Sequence, residues 1–166
     1  RVLYTSGPGD AEHLALKAAR EGVRLVLALG GDGLIHEVAC GLMRAGDDAS
    51  RRPVLGVLPL GSGNDYARTL GVRRDDPVLA LRQLMGADTR RVDAGQANGV
   101  PFVQTLSFGL DAAIALGSQE ARRHASAMRR KGTALFASVG VDLFLHHRRA
   151  HSYRGTMDLA PGSGAP

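Results

Sequence analysis

Apolar positions recur at helical spacing between Asp10 and Arg20, where Ala11, Leu14, Ala15 and Ala18 share one face. Gly22 ends that helix. Leu25-Val26-Leu27-Ala28-Leu29, following Arg24, is continuously apolar, the pattern of a parallel strand buried on both faces. Gly30-Gly31-Asp32-Gly33 interrupts it, and helical spacing returns from Leu34 to Arg44 through Ile35, Val38, Ala39, Leu42 and Met43. Val54 to Leu58 predicts a second strand, Pro59 to Asp65 a loop, and Tyr66 to Leu70 a short helix. Asp75-Asp76-Pro77 joins a capping acid to a proline in the first turn. The helix it starts runs through Leu79, Leu81 and Leu84 to Gly86.

Beyond Gly86 the strand–loop–helix alternation changes. Extended segments 91–96 and 101–106 flank Asn98-Gly99, a strong hairpin signal. Two helical stretches follow, Ala112 to Arg130 and Thr133 to His147. The expected fold class is α/β, a doubly wound and mostly parallel sheet followed by the start of an antiparallel β-rich second domain. The expected boundaries are 1–88 for the α/β domain, 89–158 for the β-rich region with helices, and 159–166 for a disordered Gly/Pro tail.

Composition changes this picture in three respects. Glycine is abundant, 22 of 166 residues, and collects at the ends of apolar runs, where backbone must turn tightly or approach a ligand. Aromatic residues are sparse, with four Phe, three Tyr and no Trp, which disfavours a base-stacking nucleic-acid reader. One cysteine, Cys40, excludes an internal disulfide framework and a multi-cysteine zinc site; its place in an apolar helix pattern predicts a small core residue. The apolar runs are too short for ~30 Å of hydrocarbon, and Arg1 to Thr5 carry no signal-peptide pattern. The expected localisation is cytoplasmic. The net charge of +5 is concentrated late, in Arg122, Arg123, Arg129, Arg130, Lys131, Arg148, Arg149 and Arg154. That region is either a solvated face or a patch for anionic headgroups, phosphates or nucleic acid.

Two glycine-rich loops therefore leave strand ends and enter helices. In open α/β sheets ligands collect at that edge, and free N–H groups at a helix start attract phosphate. Each loop also carries an acid, Asp32 or Asp65. An acid beside a phosphate is repulsive unless a cation or a transferable proton intervenes, so the pattern points to phosphoryl transfer with Mg²⁺. The alternative is that Asp32 caps a helix and Asp65 a turn. Neither loop is a Walker A or dinucleotide fingerprint. His146, His147 and His151 lack the further ligands of a zinc site. Asp93 and Asp111 read as turn caps.

Gly30-Gly31-Asp32-Gly33-Leu34-Ile35-His36-Glu37-Val38 resembles the GGDGT-[IL]-N-E-V signature of the diacylglycerol kinase catalytic-domain family. This family also includes sphingosine kinases and bacterial lipid kinases. Pro59-Leu60-Gly61-Ser62-Gly63-Asn64-Asp65-Tyr66-Ala67-Arg68 resembles its second signature, P-L-G-T-x-N-D-F-A-R. Arg91-Val92-Asp93, Asn98, Phe102 and Gly109-Leu110-Asp111-Ala112 are similar to its crossover into a lipid-binding second domain. The resemblance implies that residues 1–88 bind the nucleotide.

It further implies ATP and Mg²⁺ as cofactors, with Gly30, Gly31, Asp32, Gly33, Leu34, Ile35, His36 and Glu37 around the phosphates. Gly61, Ser62 and Thr5 are implied in nucleotide contact, Asn64 and Asp65 near the acceptor hydroxyl, and Asp32 and Asp65 as the catalytic pair. The implied function is a lipid kinase moving the ATP γ-phosphate to a diacylglycerol-like hydroxyl, peripheral at a membrane, with a lipid and not nucleic acid as partner. A catalytically incomplete nucleotide- or lipid-binding relative, and a soluble-substrate kinase such as an NAD kinase, are the alternatives.

The chain departs from the signatures at Leu34, in place of Thr, and at His36, in place of Asn. The family's first strand with its N-P-x-[SA]-G loop is expected ahead of Arg1, and its Asp-Gly-Glu segment after the last residue. A sheet lacking an internal strand leaves backbone groups unpaired, so marginal stability, or association into a homo-oligomer through an exposed strand edge, is expected.

Overall fold

The computed structural model describes residues 1–46, 48–124 and 133–146. They fall into two compact units, one of residues 1–106 and one beginning at Ser107. The basic residues from Arg129 to Arg154, His147, His151 and the tail 159–166 lie outside the described residues.

In the first unit, helix α1 spans Asp10–Arg20. Gly9 precedes it with φ 85°, and the Asp10 carboxylate accepts bonds from the Ser6 amide (2.8 Å) and hydroxyl (3.0 Å). Those two donors hold the Asp10 carboxyl below its usual range. Strand β1, Leu25–Gly30, pairs in parallel with β2, Val54–Pro59, in a register that sets Leu25 beside Val54 and Gly30 beside Pro59. Between them runs helix α2, Asp32–Met43, which buries Ile35, Val38, Ala39, Cys40 and Leu42. Helices α1 and α2 cross closely at Gly41, where any Cβ would strike the Glu12 carbonyl and the Ala15 methyl. The Arg44–Glu12 ion pair closes the same crossing.

Helix α3, Asp65–Thr69, and helix α4, Pro77–Met85, pack against β2. The Asp76 carboxylate caps α4 by accepting from the Val78 and Leu79 amides at 2.8 and 3.1 Å, with Pro77 in the first turn. Strands β3, Gly95–Ala97, and β4, Val100–Phe102, form the antiparallel hairpin across Asn98 (φ 50°) and Gly99 (φ 77°). Both turn residues lie in the left-handed region that a tight hairpin requires. The hairpin strands are three residues each, shorter than the segments 91–96 and 101–106.

The architecture is α/β, a parallel pair with helices and a small antiparallel sheet. Two expectations need correction. Helix α2 begins at Asp32, so Asp32 and Gly33 belong to its first turn rather than to the loop. Strand β1 is not buried on both faces: Val26 and Ala28 face the core, while Leu25, Leu27 and Leu29 are 52%, 40% and 52% exposed. β2 is covered by α3 and α4, and its last four residues are buried; β1 packs against α2.

The second unit holds α5, Leu110–His124, and α6, Thr133–His146. The two helices pack through small residues, Gly117 against Val139 and Gly140 against Ile114. Leu110, Ile114, Val141, Phe144 and Leu145 line an open apolar groove of about 510 Å³ between them. No helix among the described residues is long and apolar enough to cross a membrane.

Candidate active site

The pairing of Gly30 with Pro59 ends both parallel strands at one edge and starts both glycine loops side by side. The Leu60 amide donates to the Gly30 carbonyl at 3.0 Å. One residue further, the loops touch backbone to backbone. A Cβ on Gly31 would sit 3.1 Å from the Gly61 Cα, and a Cβ on Gly61 would collide with the Gly31 Cα. Only glycine at 61 permits this approach.

Asn64 holds the second loop in shape. It is 6% exposed, in the left-handed region at φ 55°, and its amide closes a two-bond ring with Gly61. Oδ1 accepts from the Gly61 N–H and Nδ2 donates to the Gly61 carbonyl, each at 2.8 Å. Its polar atoms are thus engaged within the loop. Asn tolerates this backbone conformation better than most residues.

Asp32 links the loops. Its own helix is capped at Gly31 without a side-chain bond, and its Oδ1 instead accepts the Tyr66 N–H at 2.9 Å, at the start of α3. Its Oδ2 lies 3.0 Å from the point a Gly63 Cβ would occupy, and Asp65 Oδ2 lies 3.4 Å from the same point. Carboxylate oxygens from the first residues of α2 and α3 therefore converge on a position without a side chain. Arg68 Nη2 donates to Asp65 Oδ1 at 2.7 Å and offsets part of the negative charge. Hard oxygen donors of this kind fit Mg²⁺, which binds through one or two carboxylates together with substrate phosphates. Among the described residues no group of three or more metal-ligating side chains assembles.

A cleft of about 270 Å³ opens beside these carboxylates. Of the residues singled out in the sequence, Asp32, Ile35, His36 and Asp65 line it; Tyr66, Val103, Gln104 and Thr105 complete it. The far wall is fixed through Cys40. Its thiol donates to the Pro101 carbonyl of β4 at 3.3 Å and lies 3.6 Å from His36 Nε2. Helix α2, the His36 ring and the chain leading into Val103–Thr105 are thereby tied together. Burial pushes both the Cys40 thiol and the Tyr66 phenol up.

The remaining candidates sit around this centre. Gly33 and Ser62 are exposed on the first turn of α2 and on the second loop. Leu34 folds over Gly30, its Cβ 3.2 Å from where a Gly30 Cβ would lie, and packs against the core. Glu37 is half-buried on α2, and Thr5 is exposed ahead of α1. The sequence pattern missed Tyr66, Val103, Gln104 and Thr105. The hairpin signal at Asn98-Gly99 predicts the strand that carries the last three to the cleft, but no local spacing says that it returns over α2.

The diacylglycerol kinase catalytic domain matches residues 1–97, and the chain belongs to that family. It is 41% identical over 105 residues to a diacylglycerol kinase of Bacillus subtilis strain 168, a match covering 63% of this chain and 33% of the relative. It is 42% identical over 113 residues to a protein named "Probable lipid kinase YegS-like" of Chromohalobacter salexigens, covering 68% and 35%. A crystal structure of a provisionally assigned diacylglycerol kinase from Bacillus anthracis Sterne superposes with a TM-score of 0.58 at 25% identity, over 87% of this chain and 44% of that one. The chain thus spans about a third of the length of the two curated relatives.

Proposed function

We propose that the chain carries the nucleotide-binding and phosphoryl-transfer region of an ATP-dependent lipid kinase, with a diacylglycerol-like hydroxyl as acceptor. The observation that carries this reading is the contact of Gly31 with Gly61, which merges two phosphate-type loops into one cradle with Asp32 and Asp65 at its floor. The α5–α6 groove, apolar throughout its lining, suits an alkyl chain.

In this reading the amides of Gly31 and Gly33, at the start of the twelve-residue α2, and of Ser62 and Gly63 donate to the triphosphate. Glycine at these positions keeps side chains out of the way. Mg²⁺ would be held by Asp32 Oδ2 together with the phosphate oxygens and would supply charge neutralisation to them. Asp32 keeps the loops in register through Tyr66 N–H. Asp65 Oδ2 accepts the hydrogen bond of the acceptor hydroxyl, which enters through the cleft beside Gln104 and Thr105. The acceptor oxygen attacks the γ-phosphorus as its proton passes to Asp65 Oδ2, the bond between the γ-phosphorus and the bridging oxygen breaks, and ADP leaves. Alignment and electrostatics supply the catalysis, with no covalent enzyme intermediate. The protein works from the aqueous side of a membrane surface, in the cytoplasm.

The test is transfer of label from γ-labelled ATP with Mg²⁺ to mixed micelles containing diacylglycerol, a sphingoid base or phosphatidylglycerol, with NAD as a soluble acceptor. Label in a lipid is expected. Label in NAD alone contradicts the reading, and ATP binding without any transfer reduces the chain to a nucleotide-binding module.

A further inference from the structure

The loop that ends at Asn64 has a cation at its rim. Arg74, exposed on the segment between α3 and α4, donates from Nη1 to the Gly63 carbonyl at 3.4 Å. Gly63 is the residue on which the Asp32 and Asp65 carboxylates converge. The neighbouring arginines are engaged otherwise. Arg68 is paired with Asp65, and Arg73 grips Asp75 through two bonds at 3.1 and 2.8 Å. Arg90 donates to the Thr69 carbonyl at the C-terminal end of α3. Among the described residues Arg74 has no carboxylate within ion-pair reach.

We propose that Arg74 is a phosphate-contacting residue of the cradle, gripping the β,γ-phosphates of a nucleoside triphosphate at the Gly63 rim of the second loop. This rests on the nucleotide reading above. A polyphosphate entering beside two carboxylates needs positive charge close by. A guanidinium has five N–H donors in a planar fork that matches phosphate oxygens, and one bond to a carbonyl leaves most of them to spend. That carbonyl bond also places the fork at the loop before nucleotide arrives, so less ordering is required on binding.

Titration calorimetry with Mg-ATP and with AMP, on the wild-type chain and on Arg74→Ala, Arg74→Lys and Arg73→Ala, tests it. Arg74→Ala is expected to weaken Mg-ATP about tenfold, as for loss of one charge-assisted contact, and to leave AMP nearly unchanged. Arg74→Lys recovers part of the loss, and Arg73→Ala, one residue away, has no effect. The proposal is overturned if Arg74→Ala binds Mg-ATP like the wild type, loses ATP and AMP equally, or is matched by Arg73→Ala. A wild-type chain that does not bind Mg-ATP overturns the nucleotide reading and this inference together. Wild-type binding that is indifferent to Arg74 overturns this inference alone.

Discussion

Asp32 Oδ1 accepts a hydrogen bond from the backbone N–H of Tyr66 at 2.9 Å, so the first residue of α2 caps the start of α3. One oxygen of a carboxylate is structural and the other, Oδ2, faces the bare position at Gly63. The two roles separate by mutation. Asp32→Asn keeps an acceptor for Tyr66 and removes the charge. It is expected to melt within a few degrees of the wild type while phosphoryl transfer falls about 10²-fold or more, the scale of a lost electrostatic stabiliser. Asp32→Ala removes the cap as well and is expected to cost about 0.5–2 kcal/mol in denaturant unfolding. Equal stability of the Asn and Ala variants would contradict the capping role.

The contact between the loops makes a steric prediction. Gly61→Ala places a methyl group into the Gly31 backbone and is expected to abolish Mg-ATP binding and to destabilise the first unit. Gly33→Ala meets nothing within 4 Å and, in the first turn of α2, reduces the freedom of the unfolded chain, worth about 0.4–1 kcal/mol. It is expected to raise the unfolding midpoint. Calorimetric melts of both variants check this.

Asn64 supplies two bonds and a left-handed backbone, which separate in a similar way. Asn64→Gly keeps the backbone freedom and loses the bonds; Asn64→Ala loses both. The expected order of stability is Asn, then Gly, then Ala, with about 1–3 kcal/mol between Asn and Ala. Urea unfolding measures it.

Cys40 gives a pH dependence. Burial raises its folded-state thiol pKa, so the folded chain holds the proton to higher pH than the unfolded chain does. The unfolded chain then binds fewer protons above about pH 8.5, and stability declines as pH rises through that region. Iodoacetamide is expected to alkylate Cys40 slowly at pH 8 and at least tenfold faster in urea. Prompt alkylation of the folded chain would contradict the burial of the thiol and its bond to Pro101.

Much of the fold is legible in the chain because local rules decide it. Asp76-Pro77 starts α4 where the capping chemistry places it, and Asn98-Gly99 turns the hairpin. The Leu25–Leu29 run is a strand, but apolarity alone does not say which face is covered; that depends on which helices pack against β1. The glycine loops are visible in the sequence, and so is their meeting at one sheet edge. The particular uses of Asp32, Asn64 and Cys40 are not, because Tyr66 and Pro101 are partners that only the folded chain brings near.

Both glycine loops are expected to bind one triphosphate. Amide NMR of the ¹⁵N-labelled chain titrated with Mg-ATP tests it most directly. The resonances of Gly31, Gly33, Gly61, Ser62 and Gly63 are expected to shift together with one dissociation constant. Shifts confined to one loop, or two separate constants for the two loops, would contradict it.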